Sequence, residues 1–186
     1  NYAVGMEGST VGVVGSGIMG AGLAEVAARS GHRVILRART DTAGCDALST
    51  VETSLARQEA KGKLTADERG AISRRITTTT DLTDLADCDI VVESVVEDLD
   101  VKRSLFAELD RCLAPHAVLA TNTSTLPVVE LAMATDRPAR VCGIHFFNPA
   151  PVMPLVEVVR PITADDDTID RALAFAESCG KKPVEV

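Results

Sequence analysis

A histidine and a glutamate flank a proline-rich stretch in the last third of the chain. His145 ends an apolar run that is typical of a buried strand, and Glu157 lies in the middle of a second such run, Leu155–Val159. The stretch between them contains Pro149, Pro151 and Pro154, which exclude a helix and favour an extended loop. Because a buried carboxylate is costly unless it is paired, we expect the chain to double back there and bring the two side chains together. Such a pair fixes the imidazole for use as a general base that takes a proton from a hydroxyl group.

A glycine-rich turn near the N-terminus has the spacing of a phosphate-binding loop. The sequence V-G-V-V-G-S-G-I-M-G begins at Val11 as an apolar strand and leads into an alanine-rich helix. In such a turn the first glycine permits a tight bend, the second lets a pyrophosphate approach the backbone, and the third lets the helix pack closely on the strand. We therefore expect dinucleotide binding at the helix N-terminus rather than the alternative, a plain glycine-rich turn before a buried helix. The expected contacts are Gly15, Gly17, Ile18, Met19 and Gly20.

The end of the second predicted strand is unusual for a protein that binds NAD. An Asp or Glu there hydrogen-bonds the 2′-OH of the adenosine ribose, whereas a nearby arginine accommodates the 2′-phosphate of NADP. Here Ala38 occupies the acidic position, and Arg37 and Arg39 flank it. Because neighbouring residues of an extended chain point to opposite sides, we expect at most one of the two arginines to face the ligand, unless the turn after Arg37 brings in Arg39 as well. The cofactor is predicted to be NAD or NADP with a preference for NADP; the alternative is that both arginines are surface charges.

These residues require a scaffold in which strands and helices alternate. Short apolar runs predict strands at Val11–Val14, Arg33–Arg37, Arg75–Thr78, Ile90–Glu93, Val118–Thr121, Val141–His145, Leu155–Val159 and Val184–Val186. Helices are predicted between them at Met19–Ser30, Ala43–Gly62, Asp67–Arg74, Leu99–Leu113 and Asp166–Ser178. The alternation predicts an α/β fold with a doubly wound, mainly parallel sheet of the Rossmann type. The stretch 43–74 is too long for a plain crossover and is predicted to be a helical hairpin that projects from the sheet.

Length and composition predict one globular domain. With 186 residues, 46% of them hydrophobic, and no linker signal, the chain is expected to form a dinucleotide-binding domain over 10–186, with 1–9 as a disordered or extraneous tail. The formal net charge of −8 argues against a nucleic-acid partner, which requires clustered cations. No apolar run approaches the length of a membrane span, so we expect no membrane partner and a cytoplasmic location. The five cysteines are widely spaced without a CxxC, so reduced thiols and no metal site are expected.

Four motifs together are specific enough to indicate a family. They are G-S-G-I-M-G at 15–20, V-V-E-S-V-V-E-D at 91–98, T-N-T-S at 121–124, and H-F-F-N-P-A-P-V-M-P-L-V-E at 145–157. With these motifs the sequence resembles the L-3-hydroxyacyl-CoA dehydrogenase family, and within it the bacterial 3-hydroxybutyryl-CoA dehydrogenases, over nearly the whole chain from Val11. The resemblance implies an oxidoreductase of fatty acid metabolism. It would reversibly oxidise a (3S)-3-hydroxyacyl-CoA, expected to be 3-hydroxybutyryl-CoA, to the 3-oxoacyl-CoA with NAD or NADP.

The resemblance also implies roles for residues near the reacting groups. His145 matches the catalytic base, and Glu157 matches its partner. Ser124 matches a hydroxyl that contacts both the substrate oxygen and the nicotinamide. Asn148 matches a contact to the acyl-CoA.

Further matched positions lie beside the two ligands. Glu97 and Lys102 match residues that line the cofactor, and Ser54 and Lys61 match positions that hold CoA on the helical hairpin. Because they are seven residues apart on a predicted helix, Ser54 and Lys61 share one face with Arg57, which gives local positive charge on an acidic protein. Each of these residues alone would be interpreted as an ordinary solvated side chain, and their joint placement around the stronger motifs favours binding.

The sequence departs from the family in two respects. The acid that selects NAD is replaced by Ala38, so NAD does not carry over directly. The family also continues into a helical C-terminal domain that closes the substrate cleft, supplies a further active-site Asn and forms a dimer. That domain is expected to be absent from this chain, which would then bind cofactor but turn over poorly, and the full-length protein is expected to be a homodimer.

Other functions fit part of the pattern. β-Hydroxyacid dehydrogenases of the 3-hydroxyisobutyrate type also use a G-x-G-x-M-G turn, but they depend on a Lys in the following domain rather than on a His–Glu pair in this one. A gulonate-dehydrogenase-like relative is closer, although the F-F-N-P-A-P-V-M stretch resembles the acyl-CoA branch better. A non-catalytic nucleotide-binding module is the alternative outside the oxidoreductases; it would bind the nucleotide and ignore the thioester.

Overall fold

The chain is built around one eight-stranded sheet, in a computed structural model that describes residue 6 and residues 8–186. The strands are β1 (Thr10–Val14), β2 (Arg33–Arg37), β3 (Ile76–Thr79), β4 (Ile90–Glu93), β5 (Val118–Thr121), β6 (Val141–Phe146), β7 (Leu155–Val159) and β8 (Lys182–Glu185). Their order is β3-β2-β1-β4-β5-β6-β7-β8, and every neighbouring pair is parallel except β6 and β7. The predicted doubly wound, mainly parallel sheet is confirmed. The tail predicted for 1–9 lies largely outside the described residues.

Six helices cover the sheet in the described part of the chain. They are α1 (Ile18–Arg29), α2 (Asp41–Ala60), α3 (Ala66–Ser73), α4 (Leu99–Cys112), α5 (Val128–Ala132) and α6 (Asp166–Ser178). The short α5 was not predicted, and neither were two 3-10 turns at Leu82–Leu85 and Pro138–Arg140. Over these same residues, no helix combines the length and the apolar character needed to cross a membrane.

The core occupies both faces of the sheet because parallel crossovers place helices on each side. Along β1, Val11 and Val13 belong to the cluster that packs under α1, α2 and α6. Val14 belongs to the cluster on the opposite face, which contains residues of α4 and α5. This two-sided burial explains why the strands are continuous apolar runs rather than alternating ones.

Helices α2 and α3 form the predicted hairpin. Ala47, Val51 and Leu55 of α2 are buried in the core, so this helix packs onto the domain along much of its length. A capping box between Thr65 and Glu68 begins α3. The hairpin is therefore held to the domain by the buried side chains of α2.

His32, in the turn between α1 and β2, is fully buried. Its Nε2 lies 2.8 Å from the Ser178 hydroxyl, and its ring packs against Phe175 of α6. Burial lowers the pKa of His32, and this effect outweighs the Ser9 backbone and the Asp89 carboxylate, which raise it. The folded protein therefore holds a neutral imidazole between the start of β2 and the end of α6.

This burial predicts a loss of stability on mild acidification. As the pH falls below about 6.5, the unfolded chain takes up a proton at His32 that the folded protein resists, so the free energy of unfolding falls. Between pH 7.5 and 5.5 we expect Tm to drop by about 2–4 °C more in the unmodified protein than in His32→Gln. The control is His116→Gln, at a side chain that is 59% exposed, which should keep the original pH dependence. Equal slopes for His32→Gln and the unmodified protein would contradict the assignment.

Candidate active site

The glycine turn after β1 has the geometry of a close-packed strand-to-helix connection. Gly15 has φ +123°, and a Cβ there would overlap the Ser94 carbonyl. A Cβ at Gly20 would overlap the Gly15 carbonyl, so the helix approaches the strand as the sequence predicts. Gly17, the N-cap of α1, is different, because a Cβ there would have no neighbour within 4 Å. The open side of Gly17, at a helix N-terminus that bears free backbone N–H groups, fits the pyrophosphate of a dinucleotide.

A cavity of about 1530 Å³ runs along the carboxyl edge of the parallel strands, beside this turn. It is large enough for a dinucleotide, and ligands of open α/β sheets bind at this edge. Most of the residues predicted to bind cofactor or substrate line it: Gly15, Gly17, Ile18, Met19, Arg37, Arg39, Glu97, Lys102, Ser124, His145 and Asn148. Gly20 and Glu157 lie directly behind the lining, in contact with Gly15 and His145 respectively.

His145 and Glu157 are brought together by the antiparallel pairing of β6 and β7. The two residues are direct partners in the strand register, and His145 Nδ1 lies 2.8 Å from Glu157 Oε2. The other ring nitrogen, Nε2, lies 3.1 Å from the hydroxyl of Ser124, and both residues line the cavity. Phe147 packs against the imidazole with ring centroids 4.6 Å apart. A neutral imidazole that donates Nδ1–H to the carboxylate has Nε2 available as an acceptor.

A buried group of charges lies at the end of β4, two strands away from β6 in the sheet. Glu93, at the end of β4, is 0% exposed, and its Oε1 accepts a hydrogen bond of 2.7 Å from Lys102 Nζ. The Val95 amide also donates to Oε1, at 2.6 Å, and the Thr121 hydroxyl donates to Oε2, at 2.8 Å. Glu93 was missed as a site residue, although it lies inside the quoted motif V-V-E-S-V-V-E-D. Its position as the last residue of an apolar strand, before a loop, was the available signal.

Glu97 connects this charge group to the loop that carries Ser124. Its Oε2 lies 3.2 Å from Lys102 Nζ, and its Oε1 accepts hydrogen bonds from the Thr123 hydroxyl and from the Ser124 amide at 3.0 Å. Burial acts to raise the pKa of Glu97, but the Thr123 hydroxyl, the Lys102 ammonium and the Ser124 amide together lower it below its ordinary value. Glu97 is therefore a carboxylate that positions the Ser124 backbone.

Asn122 was also missed, although it lies in the T-N-T-S motif. Its Oδ1 accepts a hydrogen bond of 2.8 Å from the Phe146 amide, directly after His145. The side chain also lines the cavity. Asn122 therefore links the end of β5 to the end of β6, where the histidine is held.

Both arginines around Ala38 line the cavity. The strand ends at Arg37, so the alternation of an extended chain no longer governs Arg39. Arg37 Nε donates to the Thr80 carbonyl at 3.3 Å. Arg39 is exposed and makes no hydrogen bond or ion pair with any residue among 8–186. Of the two side chains, Arg39 is the freer to approach an added anion.

Ser54 and Lys61 are not among the residues that line the large cavity. Ser54 lies on α2 beside a smaller cavity of about 320 Å³, which Arg57 also lines. Lys61 is exposed and follows the last residue of α2 as its C-cap. The structure thus separates these predicted CoA contacts from the group around His145.

Comparison with known proteins places the chain in a family. The family described as 3-hydroxyacyl-CoA dehydrogenase, NAD binding domain, matches residues 10–186. A 3-hydroxybutyryl-CoA dehydrogenase of Mycobacterium tuberculosis is 46% identical over 175 residues, 94% of this chain and 61% of the relative. The crystal structure of (S)-3-hydroxybutyryl-CoA dehydrogenase from Ralstonia eutropha has a TM-score of 0.94 and 37% identity, covering 96% of this chain and 63% of that one.

A second solved structure agrees with the first. The 3-hydroxybutyryl-CoA dehydrogenase of Escherichia coli has a TM-score of 0.93 and 41% identity, covering 95% of this chain and 38% of that one. The chain thus spans less than two thirds of the length of each of these three relatives. Its match to the family covers the glycine turn, the cavity and the His145–Glu157 pair. The chain belongs to the 3-hydroxyacyl-CoA dehydrogenase family, as its NAD-binding domain.

Proposed function

We propose that residues 10–186 are the dinucleotide-binding domain of an enzyme that reversibly oxidises a (3S)-3-hydroxyacyl-CoA to the 3-oxoacyl-CoA. The observation that carries this proposal is that His145 lines a cavity beside a dinucleotide-type turn, with Nε2 next to the Ser124 hydroxyl and Nδ1 paired with Glu157. The names of the relatives favour 3-hydroxybutyryl-CoA as the substrate. A cytoplasmic location and a homodimer of the full-length protein belong to the same proposal and are supported by family membership alone.

In this mechanism His145 is the general base. Its Nε2 takes the proton of the substrate hydroxyl, and the Glu157 carboxylate stabilises the imidazolium that forms, because opposite charges at 2.8 Å attract strongly in a partly buried site. The Ser124 hydroxyl, 3.1 Å from Nε2, orients the reacting oxygen. A bound nicotinamide supplies the hydride acceptor. The chain's contribution is to position the alcohol and to remove its proton.

Several residues would hold the cofactor. The backbone at Gly17 and the N-terminus of α1 would bind the pyrophosphate. Glu97 and Lys102 would lie beside the reacting end of the cofactor, because Glu97 accepts the Ser124 amide. Arg37 and Arg39 would lie at the adenosine end, beyond the turn after β2.

At the adenosine end we infer a preference for NADP over NAD. An alanine at position 38 removes the carboxylate that would bind the ribose 2′-OH and would repel a 2′-phosphate, and such repulsion contributes to specificity as much as attraction does. Arg39 supplies an exposed guanidinium on the same cavity. The family description, an NAD-binding domain, supports NAD as a cofactor, and the preference for NADP rests on Ala38 and Arg39 alone.

The first prediction from the proposed mechanism concerns the general base. In the full-length protein, His145→Gln should lower the turnover of 3-hydroxybutyryl-CoA oxidation at least ~100-fold, the scale of general-base loss, with cofactor affinity little changed. Glu157→Gln should also slow turnover, because the imidazolium loses its partner. A His145→Gln variant with near-normal turnover would remove this residue from the mechanism. If Glu157→Gln lowers only Tm, the carboxylate is structural and the pair has no catalytic role.

The second prediction concerns the hairpin, where we propose that Ser54, Arg57 and Lys61 hold the nucleotide end of CoA. Lys61→Ala should raise KM for acyl-CoA much more than KM for a truncated thioester that lacks the nucleotide. The matched control is Lys182→Ala, an exposed lysine on β8, which should change neither value. Equal effects of Lys61→Ala on both substrates would locate CoA elsewhere.

The third prediction concerns cofactor choice, measured by calorimetry on this chain. One charge-assisted contact to a phosphate contributes about 1.5–3 kcal/mol, or roughly 10- to 150-fold in affinity. We therefore expect NADPH to bind about tenfold or more tightly than NADH, and Ala38→Asp with Arg39→Ala to reverse the order.

A comparison of single variants separates the two arginines. Arg39→Ala should reduce the preference for NADPH more than Arg37→Ala does, because Arg37 is already hydrogen-bonded to the Thr80 carbonyl. Equal affinities in the unmodified protein, or tighter NADH, would mean that both arginines are surface charges.

A further inference from the structure

The buried charges between β4 and α4 form a connected group, here called the charge cluster, that consists of Glu93, Lys102 and Glu97. Lys102 is 1% exposed and bridges the two carboxylates, at 2.7 Å from Glu93 and 3.2 Å from Glu97. Glu93 is fully buried, whereas the Glu97 side chain is 41% exposed at the cavity. Two carboxylates and one ammonium leave the cluster with one net negative charge. A second cation within 4 Å of either carboxylate is not found among the residues that the structure describes.

The open end of the cluster points to the reacting part of the cavity. Glu97 accepts the Ser124 amide, and the Ser124 hydroxyl contacts His145 Nε2. On the proposed function, the nicotinamide ring must lie beside His145 and Ser124 for a hydride to leave the carbon that bears the substrate oxygen. The uncompensated charge of the cluster is then close to the one part of the cofactor whose charge changes, since the ring is cationic when oxidised and neutral when reduced.

We propose that the charge cluster stabilises the oxidised nicotinamide more than the reduced form. Without Glu93, the Lys102 ammonium would neutralise the Glu97 carboxylate; with Glu93 present, the cluster keeps one negative charge. Glu93 does not line the cavity, so it acts through Lys102. This inference rests on the proposed function. It goes beyond cofactor binding, because it assigns to a buried residue an effect on the balance between two states of the ligand.

The ratio of two affinities isolates this effect. Phosphates, riboses and adenine are common to both redox forms, so whatever the cluster does to them cancels in the ratio of Kd for NAD⁺ to Kd for NADH. One unit charge at roughly 10 Å changes such a ratio by about 3- to 15-fold as the effective dielectric falls from about 50 to about 20. A purely structural role for Glu93 would weaken both forms alike.

The test is calorimetry of oxidised and reduced cofactor on this chain and on Glu93→Gln. The amide is nearly isosteric with the carboxylate, and its oxygen can still accept from Lys102 and the Val95 amide. We expect the Kd ratio, oxidised over reduced, to rise by about 3- to 15-fold in this variant. If both forms bind and the ratio does not change, the inference is wrong while the proposed function stands. If neither form binds to the unmodified chain, the proposed function itself fails and this inference fails with it.

A double variant distinguishes charge from geometry. Glu93→Gln with Lys102→Met removes one negative and one positive charge, so the cluster keeps its net charge of −1 while the ion pair is lost. We expect the double variant to return the ratio toward that of the unmodified protein, even if both affinities fall. A ratio that stays as in Glu93→Gln would attribute the shift to displaced side chains and would overturn the proposal.

A third variant covers the case in which Glu93→Gln does not fold, since removing one partner of a buried ion pair can be strongly destabilising. Glu97→Gln removes the same unit of charge at a partly exposed position, and it should raise the ratio in the same direction. Thr121→Val, which removes a hydroxyl donor to Glu93 without changing charge, is the matched control and should leave the ratio unchanged. An unaltered ratio in Glu97→Gln would refute the charge effect.

Discussion

The antiparallel register of β6 and β7 is the constraint on which the site depends. Side chains that are direct partners in an antiparallel pair lie on the same face, and a slip of one residue would send every side chain of one strand to the other face. The observed register pairs His145 with Glu157, and two residues earlier it pairs Gly143 with Val159. A Cβ at Gly143 would lie 2.7 Å from the Val159 Cβ, so the glycine permits the close approach on that face. The chemistry therefore depends on a reversal of direction at the edge of an otherwise parallel sheet.

The parallel part of the sheet places groups of different charge at different positions along one cavity. The ends of β4, β5 and β6 bring acidic and hydroxyl groups together around His145, where positive charge would develop during the proposed oxidation. At the other end, the helix N-terminus at Gly17 and the guanidinium of Arg39 face the region suited to phosphates. An acidic protein can thus bind an anionic ligand, because the local arrangement of charges, rather than the net charge, acts on each part of it.

Much of this arrangement is readable from the sequence, because it depends on local rules. Continuous apolar runs indicate strands buried on both faces, the glycine spacing indicates the turn, and the prolines between His145 and Glu157 indicate a reversal. Helix α5 was missed because five residues after a proline carry too short a periodic pattern. Glu93 was missed for a different reason: its partners, Lys102 on α4 and Thr121 on β5, come together only in three dimensions. An acid at the end of a strand does not by itself reveal whether it will be solvated or buried.

Helix α1 connects the two places where the proposed ligands would bind. Its N-terminus, at Gly17, faces the large cavity, and its buried Glu25 accepts a hydrogen bond of 2.8 Å from Gln58 of α2. Gln58 also lies 3.4 Å from the hydroxyl of Ser54. On the proposed function, a substrate would be held at one end by the hairpin and would react at the other end beside His145. Helix α1 contacts the hairpin through Glu25 and borders the cavity through its N-terminus. Because a misplacement of 1 Å can cost a large factor in rate, the hydrogen bond between Glu25 and Gln58, far from the reacting atoms, would on the proposed function help to fix the hairpin relative to α1.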